Sequence, residues 1–590
     1  MEIALLTTIL AAAIFLLITQ IIRIELTALL IIVALSVTRL LEPEEALSGI
    51  SDDVTITVAG MLMLSAGLVR TGALDYLVRL AGKLRVSGPA ALILIVGVIA
   101  AVLSAFLTNT GVVIMLIPVV LRLCQKNNLM PSKVMIPLSY FAIFGGTLTL
   151  IGTSTNILVD GMFRESGGSG FGMFEFTPMG VCYLILGGTF LFFFSDKVLP
   201  ERKVLSQVLE RRHRTNFVTE IVVQQHSPFA GKTLHDLLVG FEGVKILELV
   251  REEDVTLRPE LDTRVQGEDM LLIEGSPQTI HRMLEKQGLD LASAVEDDRR
   301  VKISRIDLVT VEAVVTPNSQ FFNQRLRDIG LNRLYDIKVL AIQRMGRHLQ
   351  VRLREMKLQV GDVILIQGEQ RALQQLEATA NVLLIEGVEK TIHFSRMAPL
   401  AVGVLVAVIA VAALRVLPLS VAVLGGSAAM MLFRCLRIRE ALAALDSAVL
   451  LLLAAALPLG IAMEKTGLAG TMARSILGLA QDFGPVVLIA VLYLITSVLT
   501  AFLTNVATAA LLVPIVLQIA LDLGVDAKPL LIAVTFGASA SFFTPIGYQT
   551  NLLVMGPGGY KFRDYLRIGL LINLILWVAA TVLIPVFWSF

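Results

Sequence analysis

The chain has 590 residues, of which 55% are hydrophobic and only 16% charged, with a net charge of +1. Soluble domains run nearer a quarter charged, and nucleic-acid binders carry a strong basic excess. Three cysteines scattered through apolar stretches (Cys124, Cys182, Cys435) make neither a disulfide framework nor a zinc ligand set, so the composition is that of an integral membrane protein.

A helix needs roughly 20 residues to cross a hydrocarbon core about 30 Å thick. In chain order, apolar runs at 2–21, 24–40 and 53–70 predict spans, followed by a long run at 88–124 and spans at 133–160 and 178–197. The first run lacks a basic flank and a small-residue cleavage site, so it is expected to remain as a transmembrane helix. From Lys197 to Arg396 the chain is polar and holds all six histidines (His213, His226, His235, His281, His348, His393). Apolar runs resume at 397–414, 417–434 and 446–463, then a second long run at 484–520, then 528–556 and 566–588.

The two long runs carry a polar pair at mid-length, Thr108-Asn109 and Thr504-Asn505. Two helices joined by a tight turn would fit each. So would a re-entrant hairpin with its tip inside the membrane, where irregular backbone survives only if protein buries it or water lines it. With the polar block placed in the cytoplasm, Arg23, Arg70, Arg79, Lys83, Arg85, Arg122, Lys126, Lys133, Lys197, Arg202, Lys203, Arg434, Arg437, Arg439, Lys561, Arg563 and Arg567 all fall inside. The acidic loops Glu42–Glu45 and Ser51–Asp53 stay outside with Arg164, Arg415, Lys465, Arg474 and Lys528. That bias follows the positive-inside rule. It puts both termini outside and residues 200–395 in the cytoplasm of a multi-pass cell-membrane protein.

The two membrane halves are self-similar. Ala105–Val120 aligns with Ala501–Val516, including Pro118 and Pro514; Gly88-Pro89 aligns with Gly484-Pro485, and Thr71-Gly72 with Thr466-Gly467. Ile151-Gly-Thr-Ser-Thr-Asn156 likewise matches Ile546-Gly-Tyr-Gln-Thr-Asn551. Each copy has three spans, a hairpin, a broken span and a last span. Five crossings is odd, so the second copy lies inverted relative to the first, the architecture of secondary transporters that bind cargo and coupling ions near the midplane. The expectation is a carrier, not an enzyme.

Gly152 and Gly547 each stand four residues before an asparagine, Asn156 and Asn551. Glycine permits unwinding, and Thr and Asn offer oxygens and amides to freed backbone; close helix packing with Thr/Asn as interhelical glue explains each motif singly. No lysine, arginine or histidine lies in the middle of a hairpin or broken helix, and neutral asparagines occupy 109 and 505. Proton relays use Asp, Glu or His, so sodium is the expected coupling ion, held by carbonyls and neutral oxygens at half-helix C-termini. An anion suits the N–H groups of the half-helices that begin at the same tips. Asp75, Asp160, Asp446 and Glu464 read as solvated interface charges. Importing a dianion against about 100 mV, inside negative, would cost about 4.6 kcal/mol, which two sodium ions cancel.

At these motifs the sequence resembles the divalent anion/sodium symporter family of sodium–sulfate and sodium–dicarboxylate cotransporters. The family's Ser-Asn-Thr tips read Thr108-Asn109-Thr110 and Thr504-Asn505-Val506 here, and Asn505–Pro514 is close to its second tip. The resemblance implies a helical, inverted-repeat, elevator-type transporter with two re-entrant hairpins. It implies sodium at Ser104, Asn109 and Gly152 and at Thr500, Asn505 and Gly547. It implies the anion at Thr108, Asn109, Thr110, Thr504, Asn505 and Val506, with Thr153, Ser154 and Gln549 lining the broken helices. Val506 lacks a hydroxyl that the family uses on carboxylates, and the family's Pro-Pro-Asn is replaced by Ser154-Thr155-Asn156 and Gln549-Thr550-Asn551. Sulfate fits that loss better than a dicarboxylate.

The polar block contains a second repeat. Glu220-Ile-Val-Val-Gln and Glu312-Ala-Val-Val-Thr open two units, and Asp269-Met-Leu-Leu-Ile-Glu-Gly275 matches Asp362-Val-Ile-Leu-Ile-Gln-Gly368. Short β-rich runs around helical stretches such as Leu326–Ile329 predict two small α+β units. They resemble TrkA-C domains, which implies paired ligand-binding modules that dimerise. A rigid dimerisation block and small-ligand regulation both fit. The expected organisation is therefore a first membrane repeat at 1–199, TrkA-C-like units at 216–295 and 305–388, and a second membrane repeat at 396–590. The function expected is sodium-coupled import of sulfate by a homodimer; a dicarboxylate carrier, a ligand-gated channel and a receptor that senses an anion without moving it are the rivals.

Overall fold

The computed structural model describes residues 2–19, 21–73, 88–127, 129–201, 217–239, 241, 244–251, 254–257, 259–275, 277–284, 289–291, 308–316, 319–344, 347–348, 355–359, 361–379, 381–384, 397–480, 484–545 and 547–590. Asp75, Arg79, Lys83, Arg85, Arg202, Lys203, His213, His393, Ile546 and the expected boundaries at 216, 295, 305, 388 and 396 lie outside the described residues. The chain divides into two compact units. One comprises Met1–Glu201, Thr391–Val554 and Lys561–Phe590; the other comprises Arg202–Lys390 and Met555–Tyr560.

The first unit is helical. Its first half contains α1 (Glu2–Thr19), α2 (Ile24–Val37), α3 (Asp53–Arg70), α4 (Pro89–Ser104), α5 (Asn109–Lys126), α6 (Met135–Gly146), α7 (Ser154–Glu165) and α8 (Thr177–Val198). Its second half contains α9 (Ala398–Ala413), α10 (Leu419–Leu432), α11 (Ser447–Lys465), α12 (Leu468–Ala480), α13 (Pro485–Leu499), α14 (Asn505–Leu523), α15 (Ala527–Ser539), α16 (Gln549–Gly558) and α17 (Phe562–Phe587). Among the described residues six helices are long and apolar enough to cross a membrane, and shorter apolar helices accompany them. Outward-facing side chains such as Phe193, Leu432 and Leu570 are apolar and exposed, the surface that lipid requires. This is a multi-pass membrane protein.

The repeat is written in the backbone as well as in the sequence. Asp52 and Asp446 cap α3 and α11, accepting from Val54 N at 2.9 Å and Ala448 N at 3.1 Å. Gly88 and Gly484 take left-handed φ values of 121° and 82° immediately before Pro89 and Pro485, a turn into the helix that a side chain would resist. Partners are exchanged reciprocally: α2 packs against α11, while α3 packs against α10. There the absence of a Cβ at Gly60 lets Val423 approach, and Ser427 Oγ donates to Gly60 O at 3.0 Å. The two long apolar runs each fold as two helices with a short interruption, α4–α5 around 105–108 and α13–α14 around 500–504. The two broken spans are α6–α7 and α15–α16. Helix α12 is an element that the apolar-run reading did not assign.

Among the described residues of the second unit, ten strands form two five-stranded antiparallel sheets. The first sheet has β1 (Phe217–Val223), β2 (Lys245–Arg251), β3 (Asp254–Leu257), β4 (Met270–Gly275) and β5 (Leu289–Leu291) in the order β3-β2-β4-β1-β5. The second has β6 (Leu308–Val315), β7 (Lys338–Arg344), β8 (Arg347–His348), β9 (Val363–Glu369) and β10 (Val382–Leu384), in the matching order β8-β7-β9-β6-β10. Both sheets shift register at the same place, between Ile246 and Glu248 and between Val339 and Ala341. Alternating apolar residues of the strands, such as Ile221, Val223, Leu271 and Ile273, and Val311, Ala313, Ile364 and Ile366, supply the buried cores.

Candidate functional site

The helix ends decide what the interruptions can hold. Helices α4, α6, α13 and α15 finish at Ser104, Gly146, Leu499 and Ser539. Helices α5, α7, α14 and α16 begin at Asn109, Ser154, Asn505 and Gln549. Carbonyl-bearing ends carry partial negative charge and N–H-bearing ends partial positive charge. Each interruption therefore presents both signs within a few residues.

Two equivalent sets of hydrogen bonds tie each hairpin tip to the broken helix of its own repeat. Thr149 Oγ1 donates to Ala105 O in the first repeat, and Thr544 Oγ1 donates to Ala501 O at 2.9 Å in the second. Asn156 Nδ2 reaches Thr149 O at 2.8 Å, and Asn551 Nδ2 reaches Thr544 O at 3.1 Å. Asn156 and Asn551 thus satisfy the backbone freed where the helices break, as buried polar groups must be satisfied. Neither Gly152 nor Gly547 has a left-handed φ, so the expectation that glycine is there to permit unwinding is corrected. The reason is space: a Cβ at Gly152 would collide with Gly146 O, and one at Gly547 would lie 2.8 Å from Thr500 O.

In the first repeat Ser104 is fully buried and Asn109 is 4% exposed. A Cβ on Gly146 would lie 2.7 Å from both Asn109 Nδ2 and Oδ1, so the asparagine amide lies against the C-terminal end of α6. Ser104 Oγ and Asn109 Oδ1 have no hydrogen-bond partner among the described residues. In the second repeat Thr500, also fully buried, donates through Oγ1 to Asn505 Oδ1 at 2.8 Å and lies 2.8 Å from Ala538 O. Gly547 lies beside Thr500 O and Thr544 Oγ1. Ser104, Asn109 and Gly152 thus cluster around one break, and Thr500, Asn505 and Gly547 around the other.

The two breaks meet. Asn109 Nδ2 donates to Tyr548 Oη at 2.9 Å, and Thr110 Oγ1 donates to Gln549 Oε1 at 3.2 Å. Both bonds join the first repeat's hairpin tip to the second repeat's broken helix. Ser139 Oγ in α6 reaches Thr550 Oγ1 at 2.8 Å and Asn551 Oδ1 at 2.7 Å. Thr108 and Ser154 are half-buried, and Ser154 opens α7, whose preceding Thr153 makes no side-chain cap. Thr504 is half-buried and caps α14 through Ala507 N at 3.2 Å; Val506 is buried. Of the residues expected to hold the anion, Asn109, Thr110 and Gln549 bond across the repeats.

Tyr548 and Ser139 were not anticipated. Tyr548 replaces a threonine of the first repeat at an otherwise matched motif, and that departure from internal symmetry was the available signal. Of the charges expected to be solvated, Asp160 is corrected: it is 8% exposed, accepts from Arg164 Nε at 2.8 Å and takes Phe171 N at 2.5 Å. The loop after α7 folds back over it. Asp446 is a helix cap, and Glu464 is exposed. Among the described residues no three His, Cys, Asp or Glu side chains group to hold a metal.

A family model described as citrate transporter matches residues 14–524 and 494–590. An uncharacterized transporter of Synechocystis is 32% identical over 96% of this chain and 94% of its own length. A Chlamydomonas reinhardtii protein named for regulation of the sulfur deprivation response is 32% identical over 93% of this chain and 94% of its own. Sodium/sulfate cotransporter 2 of the same alga is 26% identical over 55% of this chain and 38% of its own length. With both membrane halves matched, the chain belongs to the citrate transporter family, within the divalent anion/sodium symporter superfamily.

Proposed function

We propose that the protein is a sodium-coupled importer of a divalent oxyanion, with sulfate as the cargo. The observation that carries this reading is the pairing of opposite helix polarities at both breaks, around Ser104/Asn109 and Thr500/Asn505. Neutral oxygens at carbonyl ends suit a small hard cation, and N–H ends beside them suit an anion. Sodium is held by Ser104, Asn109 and Gly152 and by Thr500, Asn505 and Gly547. The anion is held by the tips Thr108–Thr110 and Thr504–Val506, with Thr153, Ser154 and Gln549 beside them. Similarity to sodium/sulfate cotransporters and to a sulfur-response protein supports sulfate. The second reading, a carboxylate cargo, is favoured by the description of the family itself.

Transport proceeds by an elevator movement of the broken-helix bundle in a homodimer, with both termini outside. The paired α+β units in the cytoplasm act as TrkA-C-like modules that bind a small regulatory ligand. The matching strand orders of the two sheets support the pairing. Purified protein in liposomes, given labelled sulfate or succinate with and without an inward sodium gradient, tests the cargo and the coupling. Saturable sulfate uptake that needs the gradient and is lost in Asn109→Ala and Asn505→Ala is expected. Gradient-independent flux with channel-like currents overturns the carrier, and succinate uptake without sulfate uptake overturns the cargo.

A further inference from the structure

Four polar positions repeat between the halves: Ser104 and Thr500, Asn109 and Asn505, Thr155 and Thr550, Asn156 and Asn551. The bonding of their side-chain oxygens does not repeat. In the first half Ser104 Oγ, Asn109 Oδ1, Thr155 Oγ1 and Asn156 Oδ1 are all buried without a partner among the described residues. In the second half every counterpart is engaged. Thr500 Oγ1 bonds Asn505 Oδ1 at 2.8 Å, and Ser139 Oγ bridges Thr550 Oγ1 and Asn551 Oδ1 at 2.8 and 2.7 Å. The asymmetry begins in α6 and α15. Helix α6 supplies Ser139, whereas the Thr535 hydroxyl of α15 bonds its own helix at Leu531 O.

Resting on the cation sites proposed above, we infer that the two are filled in a fixed order, the first-repeat site before the second. The first site presents Ser104 Oγ and Asn109 Oδ1 with lone pairs uncommitted, and leaving such acceptors buried is unfavourable until a cation or donor meets them. The second site is latched. A cation can use the Asn505 and Thr500 oxygens together only after the Thr500 proton leaves Asn505. A hydroxyl has one proton to give, and Ala538 O, 2.8 Å away, is the acceptor to which it turns. Ser541 Oγ, whose Cβ lies 3.3 Å from where a Cβ on Gly547 would sit, is buried without a partner and adds an oxygen once the latch opens. Filling the second site therefore requires the Thr500 hydroxyl to exchange Asn505 for Ala538 O and to free the Asn505 oxygen, a rearrangement that the first site does not need, and the second affinity is expected to be weaker by about tenfold, the equivalent of ~1.4 kcal/mol. A cell with falling sodium would lose the second ion first.

Radiolabelled sodium binding to the purified full-length protein, without anion, reads this directly. Two components about tenfold apart are expected, with Ser104→Ala removing the tighter and Thr500→Ala only the weaker. A single component in the unsubstituted protein, or loss of the tighter component in Thr500→Ala, overturns the order. The unsubstituted titration decides even if a variant fails to fold, and Ser104→Thr and Thr500→Ser, which keep the hydroxyls, are expected to keep both components. Sulfate uptake by the same preparation separates the two readings. Two binding components without uptake refute the cargo while upholding the order, sodium-driven uptake with one component refutes the order alone, and no sodium binding refutes both.

Discussion

At Asn109 a single amide faces two ways: its Nδ2 donates to Tyr548 and its Oδ1 is uncommitted. Removing the tyrosine hydroxyl in Tyr548→Phe leaves that Nδ2 group buried without its acceptor, a loss of about 1–3 kcal/mol. Thermal unfolding in detergent is expected to shift down, and half-saturation for the anion to rise, because the tip is no longer fixed against α16. Gln549 offers a sharper test, since its Oε1 already takes the Thr110 hydroxyl. Gln549→Glu places a negative charge at the N-terminal end of α16, and like charges at ~4 Å repel by about 4 kcal/mol at an effective dielectric of ~20. Anion uptake is expected to fall by on the order of a hundredfold or more while sodium binding persists; unchanged uptake would remove Gln549 from the anion path. Of these residues Asn109 and Gln549 stood out in the sequence because repeated motifs mark them. Tyr548 did not, because it acts through its bond to Asn109, 439 residues away in the chain, which exists only once the chain is folded.

Helix α8 is held at both ends by lysines that precede or open the first half of a broken helix. Lys133 Nζ, on a buried side chain, donates to Leu199 O at 2.8 Å and to Asp196 O, and lies 3.4 Å from Asp196 Oδ1. Lys528 Nζ meets Glu175 Oε1 at 2.7 Å and sits 5.5 Å from the Phe171 ring centroid. The two attachments lie at opposite ends of a 22-residue helix, about 33 Å apart by helical rise. A cation on carbonyls at a helix C-terminus is favourable twice over, through hydrogen bonds and through the helix dipole. Lys133→Met is expected to destabilise the protein by about 2–3 kcal/mol. Lys528→Met, whose partner stays within reach of water, costs about 1 kcal/mol or less. Thermal unfolding of the two variants ranks them, and equal shifts would contradict the difference in burial. The sequence made α8 and both broken spans legible through apolar length and the glycine-asparagine spacing. It did not reveal the lysines' partners, because a lysine beside an apolar run reads equally well as loop charge or as a buried clamp. Helix α12 was missed for a related reason: 13 residues with Arg474 inside fall short of the length by which a span is recognised.

At the scale of the molecule, two units with separate cores carry two independent internal repeats, and the second repeat has a physical cause in one carboxylate. Asp269 is 1% exposed and accepts from Arg251 Nε and Nη2, both at 2.8 Å, and from Gln266 N at 2.7 Å. Asp362, equally buried, accepts from Arg344 Nε and Nη2 at 2.7 Å and from Gln359 N at 2.8 Å. Each arginine also spends Nη2 on a carbonyl of the preceding loop, Arg264 O at 2.9 Å or Lys357 O at 2.7 Å. The matched motifs beginning at Asp269 and Asp362 were visible in the sequence, but the arginines 18 residues upstream were not, since a side-chain fork finds its carboxylate only when β2 lies beside β4 and β7 beside β9. Replacing either aspartate by asparagine keeps the shape and removes the charge that the fork requires. Asp269→Asn and Asp362→Asn are each expected to cost about 2 kcal/mol, read as increased hydrogen exchange in the strands of the affected sheet in the full-length protein. If the α+β units only hold two copies together, either variant should lower the fraction of dimer and leave the sodium dependence of uptake per dimer unchanged. If they transmit a bound ligand to the carrier, uptake should change at constant dimer fraction, so measuring mass and transport on the same preparation assigns the role.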